Sequence, residues 1–178
     1  MKIIIYGSEY GNAKKYAEEL SARTGIATVP YKEVKSLNDY DTIIYIGSLY
    51  AGGVLGMKKT FAGLTDYKDK QIVIATVGLA DPLNKKNTDH IKDEMKKQLA
   101  DGIYNSAHVF HLRGGIDYSK LSFKHRAMMR FVYNKAKKEP VTEETKALIE
   151  TYDKEVDFVD LDTLRPMIES IEAYNSTY

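Results

Sequence analysis

The sequence has 178 residues, enough to bury one hydrophobic core but too few for two comfortable domains. Its 26 Lys and Arg residues nearly cancel its 25 Asp and Glu residues, which excludes a strong overall attraction to nucleic acids or membranes. Cysteine is absent, so thiolate nucleophiles, disulfide scaffolds and cysteine-ligated clusters are excluded, and any redox chemistry needs a bound cofactor. The first apolar run ends at Gly7 and is too short for a signal peptide, so we expect a cytoplasmic protein.

Five short apolar segments, rich in β-branched residues, are predicted strands. Their apolar residues are mostly continuous rather than alternating, which is typical of parallel strands that are covered on both faces. The strands are predicted over residues 2–6, 26–31, 42–46, 71–77 and 107–112.

Helical patterns alternate with these strands. Apolar residues spaced three or four apart predict helices over 12–24, 55–61 and 88–100, and a last helix begins after Asp162. Thr88 or Asp89 is the predicted N-cap of the third helix, and Asp162 is that of the last. Strands alternating with helices predict an α/β fold with one doubly wound parallel sheet, and we expect residues 1–178 to form a single domain.

About 45 residues, 114–160, separate the fifth strand from the last helix. Structureless loops of this length are uncommon, so we expect a helical insertion with helices near 119–137 and 142–152. Thr142 is the predicted N-cap of the second of these helices. The insertion has too few apolar residues for a core of its own.

The turn after the first strand is predicted to bind an anion. It consists of small and hydroxyl-bearing residues and leads directly into a helix, where free backbone amides and the helix dipole favour negative charge. The turn lacks the lysine of a P-loop and the spacing of a dinucleotide motif, so it suits a monophosphate. A plain turn that binds nothing remains the alternative. The candidate contacts are Ser8, Glu9, Tyr10, Gly11, Asn12 and Ala13.

The turns after the third and fourth strands complete the predicted site, because carboxyl ends of parallel strands meet at one edge of the sheet. Tyr50 offers a flat ring for stacking, and Gly78 offers a backbone group free of side-chain obstruction. Asp81 is either a hydrogen-bonding partner of the ligand or a local cap. The candidate contacts are Ser48, Leu49, Tyr50, Ala51 and Gly52 after the third strand, and Val77, Gly78, Leu79 and Asp81 after the fourth.

These three loops resemble the phosphate loop and the two flavin-flanking loops of flavodoxin-like FMN proteins. The resemblance implies a five-stranded sheet of order 2-1-3-4-5, an FMN cofactor, and electron transfer to a redox partner or quinone-like acceptor. No catalytic side chain is then expected, since the flavin supplies the chemistry. The family usually has threonine at the position of Ala13, and Glu9 places an acid beside the expected phosphate.

More narrowly, the layout is similar to the bacterial quinone-linked protoporphyrinogen IX dehydrogenase family. The similarity depends on residues 47–52 and on the basic, aromatic insertion from Arg113 to Phe131. It implies an FMN-dependent oxidoreductase that acts on a porphyrinogen-like substrate. A carrier for another redox partner is the alternative within the same class.

Residues 118–138 contain five lysines and two arginines, with no acid and with interleaved apolar residues. This pattern predicts a basic amphipathic helix. Such a helix could contact anionic lipid at the inner face of the membrane, or it could contact an acidic substrate. A solvated helix face that packs on the sheet is the alternative. No nucleic acid is expected as a partner, because no other feature supports one.

Two other classes of site are disfavoured. His108 and His111 lie three residues apart on a predicted strand and point to opposite faces, so no metal site is expected. The third strand ends in Gly47 and Ser48 rather than in aspartate, which excludes a phosphoacceptor receiver domain. An interaction domain that kept the fold without a ligand stays open.

Overall fold

The fold is built on a central sheet of five parallel strands. The structure is a computed structural model, and it describes residues 1–50, 53–138, 140 and 143–175. The strand order is β2-β1-β3-β5-β6, and a short sixth strand, β4, pairs antiparallel with the end of β3. Once β4 is left out of the count, this is the predicted order 2-1-3-4-5, and the predicted fold class is confirmed. The strands are β1 (Lys2–Gly7), β2 (Thr28–Pro30), β3 (Thr42–Tyr50), β4 (Gly53–Val54), β5 (Gln71–Gly78) and β6 (Ala107–Arg113).

Helices cover both faces of this sheet. One face packs against α1 (Asn12–Thr24) and α7 (Arg165–Asn175), and the other packs against α2 (Met57–Phe61), α3 (Lys85–Lys96) and α4 (Asp101–Ser106). Successive strand residues point to opposite faces, so neighbours such as Ile43 and Ile44 are both completely buried, each in a different half of the core. This double burial explains the continuous apolar runs.

The start of α3 differs from the prediction. The Asn84 side chain accepts a hydrogen bond from the Lys86 amide at 3.0 Å, so Asn84 is the N-cap and the helix begins at Lys85. Thr88, predicted as the cap, lies inside the helix and donates to the Lys85 carbonyl. Asp89 is also inside the helix, so both predicted N-caps are wrong. The helix ends at Lys96, and the short α4 was not predicted at all.

The start of the last helix also differs. Asp160, not Asp162, accepts the capping hydrogen bond, from the Asp162 amide at 3.0 Å. The chain then forms a 3-10 turn, Leu161–Leu164, before α7 begins at Arg165. Pro166 is compatible with this start because the first turn of a helix needs no backbone donor there.

The insertion contains the two expected helices, α5 (Phe123–Ala136) and α6 (Glu143–Thr151), while Thr142 lies outside the described residues. It also contains an unpredicted two-stranded antiparallel sheet formed by β7 (Gly115–Asp117) and β8 (Glu155–Asp157). This small sheet brings the two ends of the insertion together beside β6. None of the described helices combines the length and the apolar character that a membrane span requires.

Candidate functional site

The carboxyl ends of the central strands lie level with one another. Gly7 at the end of β1 pairs with Gly47 in β3, and Gly47 pairs with Thr76 in β5. The turns that follow these strands therefore emerge at the same edge of the sheet, as the candidate site requires.

A cavity of about 210 Å³ lies at this edge. It brings together residues from all three predicted loops, and residues of the insertion complete its wall. The lining residues from the predicted loops are Glu9, Tyr10, Asn12, Ser48, Leu49, Tyr50, Val77, Gly78 and Leu79. Those from the insertion are Gly114, Gly115, Ile116, Leu121, His125, Met128 and Met129.

The N-terminus of α1 has the features of an anion site. Its cap residue, Gly11, has φ of 95° and provides no side chain to accept from the first-turn amides, and that turn contains no acid. The Ser8 hydroxyl accepts a hydrogen bond from the Gly11 amide at 3.0 Å, which shapes the loop. Ala13 is completely buried in the core, so only its backbone amide can face a ligand. A phosphate could occupy this position without any lysine.

Asn12 connects this loop to the insertion. Its side-chain amide donates to the Gly115 carbonyl at 2.6 Å, so in this structure it is engaged with the insertion. Gly114 adds a second link, because its amide donates to the Gly78 carbonyl at 2.7 Å. Two adjacent glycines at the start of the insertion thus hold the two loops, Gly115 the first loop and Gly114 the third.

Gly78 packs closely against the second loop. A Cβ atom there would lie 2.6 Å from Cδ1 of Leu49, on the neighbouring loop. The adjacent Leu79 carbonyl accepts from Nε of Arg113 at 3.1 Å, and the guanidinium of Arg113 lies 3.8 Å from the centre of the Phe158 ring. These contacts fix the third loop against the wall of the cavity.

Asp81 does not line the cavity. Its carboxylate accepts from the Leu83 amide at 2.9 Å, and its carbonyl accepts from the Asn87 side chain at 3.2 Å. It therefore belongs to the local turn that precedes α3. Ala51 and Gly52, also predicted contacts, lie outside the described residues.

His125 is a site residue that the sequence interpretation missed. Its two ring nitrogens are hydrogen-bonded to the hydroxyls of Tyr10 and Tyr50, the latter at 2.5 Å. Both tyrosine rings meet the imidazole edge to face, with ring centres 5.5 and 5.4 Å away. We call these three residues the Tyr–His–Tyr bridge; it joins the first loop, the second loop and α5.

The sequence around His125 positions it for this bridge. Ser122 is the N-cap of α5, and its hydroxyl accepts from the His125 amide at 3.2 Å, so His125 lies in the first turn. Partial burial, together with the negative charge of Glu9, raises the pKa of the Tyr50 hydroxyl above its ordinary value. Tyr50 is therefore protonated at neutral pH.

The described residues contain no cluster of histidine and acidic side chains that could hold a metal ion. His108 lies 2.8 Å from the Ser170 hydroxyl of α7, and His111 lies 2.8 Å from the Thr76 hydroxyl on the opposite face of the sheet. Burial, with a smaller contribution from the charge of Lys92, lowers the pKa of His111 to about 4.

This lowered pKa predicts a pH dependence of stability. His111 stays neutral in the folded protein, whereas the unfolded chain protonates it below about pH 6.5, so acidification favours unfolding. Between pH 7.5 and pH 5 we expect the free energy of unfolding to fall by about 1–2 kcal/mol more than in His111→Gln. Urea unfolding at both pH values measures this difference. Equal losses in the two proteins would show that His111 does not carry the effect.

The fold agrees with a comparison against known families. A family model described as the flavodoxin domain matches residues 3–143. This chain belongs to the flavodoxin domain family. Membership supports a flavin as the cofactor of this flavodoxin domain, with FMN as the typical one.

Several solved structures are similar to this flavodoxin domain. A flavoprotein in complex with FMN from Lactobacillus acidophilus NCFM is 14% identical, with 63% of this chain and 91% of that chain covered and a TM-score of 0.40. Oxidised flavodoxin 1 from Bacillus cereus is 15% identical, with 85% and 95% covered and a TM-score of 0.41. A mutant flavodoxin from Pseudomonas aeruginosa is 17% identical, with 84% and 99% covered and a TM-score of 0.40. No curated protein matches the chain.

Proposed function

We propose that this protein binds FMN noncovalently in the cavity at the edge of the sheet and transfers electrons through it. The proposal rests on two structural features that lie together at the same edge of the sheet. An uncapped helix N-terminus suited to a phosphate lies beside an apolar cavity lined by Tyr50.

The residues present fit this cofactor. The free backbone amides of Asn12, Ala13 and Lys14 would hold the phosphate. Leu49, Tyr50 and Val77 would flank the flavin ring. Met128 and Met129 supply adaptable apolar surface on the side of the insertion. When bound, the flavin supplies the hydride or electron chemistry, and the protein orients the cofactor and controls access to it.

The first experiment is an absorption spectrum of the purified protein, followed by reconstitution with FMN. We expect a yellow protein that releases FMN on denaturation and takes it up again on refolding. A colourless protein that fails to take up FMN would favour the alternative, an interaction domain without a ligand.

The Tyr–His–Tyr bridge predicts how the cofactor enters. The cavity is smaller than the roughly 300–1,000 Å³ of most cofactor sites, so the bridge must open to admit a flavin. Removing both hydrogen bonds with His125→Ala should raise the association rate constant for FMN by up to about 30-fold, since each bond contributes about 1 kcal/mol. Stopped-flow flavin fluorescence measures this rate. Lys124→Ala, which changes the adjacent exposed residue, is the control, and equal rates in both variants would refute the gating role.

We extend the proposal to a quinone-linked, protoporphyrinogen-type dehydrogenase. The insertion supports this extension because Ile116, Leu121 and His125 form part of the cavity wall, where they would contact a substrate or a quinone-like acceptor beside the flavin. An assay of porphyrinogen oxidation with a quinone acceptor tests it. Turnover would support an oxidoreductase, and no turnover by FMN-loaded protein would favour an electron carrier.

We also propose that α5 contacts an anionic membrane surface at the inner face of the membrane. Phe123 is 89% exposed and Phe131 is 70% exposed, and Lys124 lies two helical turns before Phe131 on the same side of the helix. Exposed aromatic rings beside lysines are typical of helices that lie in the membrane interface.

Phe131→Ser tests this contact. Losing one inserted aromatic side chain costs about 1.5–3 kcal/mol at full burial, so we expect binding to vesicles that contain anionic lipid to weaken by about tenfold to 100-fold. Leu83→Ser is the matched control, because Leu83 is 91% exposed but precedes α3. Co-sedimentation with vesicles measures the binding. Equal binding by the two variants, or none by the original protein, would contradict the proposal.

A further inference from the structure

A second cavity, of about 530 Å³, lies within the insertion. We call it the insertion cavity. It shares the helix α5 with the flavin cavity but has no lining residue in common with it, because different side chains of α5 face each one. Its lining residues are Tyr118, Phe123, Arg126, Ala127, Arg130, Tyr133, Asn134, Tyr152 and Asp153.

Aromatic rings dominate one wall of the insertion cavity. The rings of Tyr133 and Tyr152 are stacked, with centres 3.8 Å apart and planes within 10° of parallel. Tyr118 meets Tyr152 edge to face, with ring centres 5.2 Å apart. Tyr152 covers one face of the Tyr133 ring, and Nζ of Lys137 also lies over this ring, 4.3 Å from its centre, so a flat ring of a ligand would pack against the edges of this array.

The hydroxyl of Tyr118 lacks a partner. The residue is only 4% exposed, and its hydroxyl is buried without a hydrogen bond to any group in the part of the chain that the structure describes. Burial raises the pKa of Tyr118 to about 12, so the hydroxyl remains a donor at neutral pH. Buried side-chain donors are normally paired, and this one lies in a residue that lines the cavity.

Two arginines give the insertion cavity positive charge. Arg126 is held in place, because its Nη2 donates to the carbonyls of Tyr118 at 3.0 Å and of Ser119 at 3.3 Å. Arg130 has no hydrogen bond or ion pair to any described residue, so its guanidinium is available. Asp153 is the one acid among these lining residues, and its φ of 59° is in the left-handed region, which aspartate adopts more often than most residues other than glycine.

We infer that the insertion cavity binds an aromatic ring that carries a carboxylate or phosphate group. The stacked tyrosines receive the ring, and the guanidinium of Arg130, supported by Arg126, pairs with the anionic group. A planar guanidinium matches both anions because it can donate two parallel hydrogen bonds. The site is separate from the proposed FMN cavity, so its occupancy does not require the flavin.

Three naphthalene probes test this inference on the full-length protein: naphthoate, naphthyl phosphate and uncharged naphthol. Fluorescence titration gives each dissociation constant. We expect the better of the two anions to bind saturably and at least tenfold more tightly than naphthol, and their relative affinities identify the preferred anionic group. Arg130→Gln should weaken binding of that anion at least tenfold. Lys124→Gln, which removes the same charge from an exposed residue of α5 outside the cavity, should leave it unchanged.

Thermal unfolding of both variants checks that they remain folded, and their FMN content separates this inference from the proposed function. The inference fails if neither anion saturates at millimolar concentration or if naphthol binds as tightly as both anions. It also fails if Arg130→Gln and Lys124→Gln give the same dissociation constant. Anion binding by a protein that fails to take up FMN would support the insertion cavity while contradicting the flavin proposal.

Discussion

Ser8→Asp should weaken FMN binding about 100-fold or more while leaving the protein folded. Ser8 lies in the loop before α1, and its side-chain oxygen accepts from the Gly11 amide. Aspartate can accept the same hydrogen bond, so the loop keeps its shape. Its negative charge, however, faces the position proposed for the phosphate, and two like charges about 4 Å apart near a protein surface repel by about 4 kcal/mol.

Ser8→Asn is the matched control, because asparagine has the shape of aspartate without its charge. We expect it to reduce FMN affinity by less than about tenfold, as measured by flavin fluorescence. Ser8→Asp should, however, be slightly more stable than Ser8→Asn, since an acid near a helix N-terminus raises the free energy of unfolding by about 0.3–1 kcal/mol. Equal FMN affinity for Ser8→Asp and Ser8→Asn would place the phosphate elsewhere.

Gly7→Ala should destabilise the fold by about 2–4 kcal/mol, the largest effect on stability that we expect from adding a single methyl group. A Cβ atom at Gly7 would overlap the carbonyl oxygen of Leu55 and lie 2.9 Å from the Tyr45 hydroxyl. The Leu55 carbonyl cannot easily move away, because it accepts from the Tyr45 hydroxyl at 2.5 Å while the Leu55 amide donates to Ser48 at 3.0 Å.

Gly63→Ala provides the comparison, because a Cβ atom there has no neighbour within 4 Å. We expect a change within about 0.5 kcal/mol for this variant. Urea unfolding of both variants gives the two values. A Gly7→Ala protein as stable as Gly63→Ala would mean that the end of β1 does not pack against the segment after β4, and the geometry of the first two loops would need revision.

The sequence was sufficient for the sheet and for the edge at which the site lies. The strands could be predicted because both faces of the sheet are covered, so segments such as Ile3–Ile5 and Ile43–Ile46 are apolar throughout. The three loops could be predicted as neighbours because the carboxyl ends of parallel strands meet at one edge. Tyr50 was predicted as a site residue from its flat ring, and it does line the cavity, while its stacking on a flavin stays a prediction.

Local competition explains the errors at helix ends. Asn84, Thr88 and Asp89 can all cap a helix, and only the turn built by Asp81 decides that Asn84 does so. The helix α4, Asp101–Ser106, is only six residues long and includes glycine and asparagine, which are poor helix formers. Its apolar contact with the core, through Ile103, gives no periodic signal over so short a segment.

Long-range contacts account for the parts of the site that were missed. The strands β7 and β8 are three residues each and lie about 40 positions apart, so neither gives a pattern of its own. His125 contacts Tyr10 and Tyr50, which precede it by 115 and 75 positions. No spacing of residues in the sequence predicts contacts between positions so far apart. The only local signal was the Ser122 cap, which places His125 in the first turn of α5.

The central claim is that the phosphate of FMN lies at the N-terminus of α1 and its ring lies beside Tyr50. Amide NMR spectra of isotope-labelled protein, recorded with and without FMN, test this claim directly. We expect the largest shifts for the amides of Asn12, Ala13 and Lys14, with a second group at Tyr50 and Gly78. Shifts confined to the insertion cavity, or no shifts at saturating FMN, would contradict it.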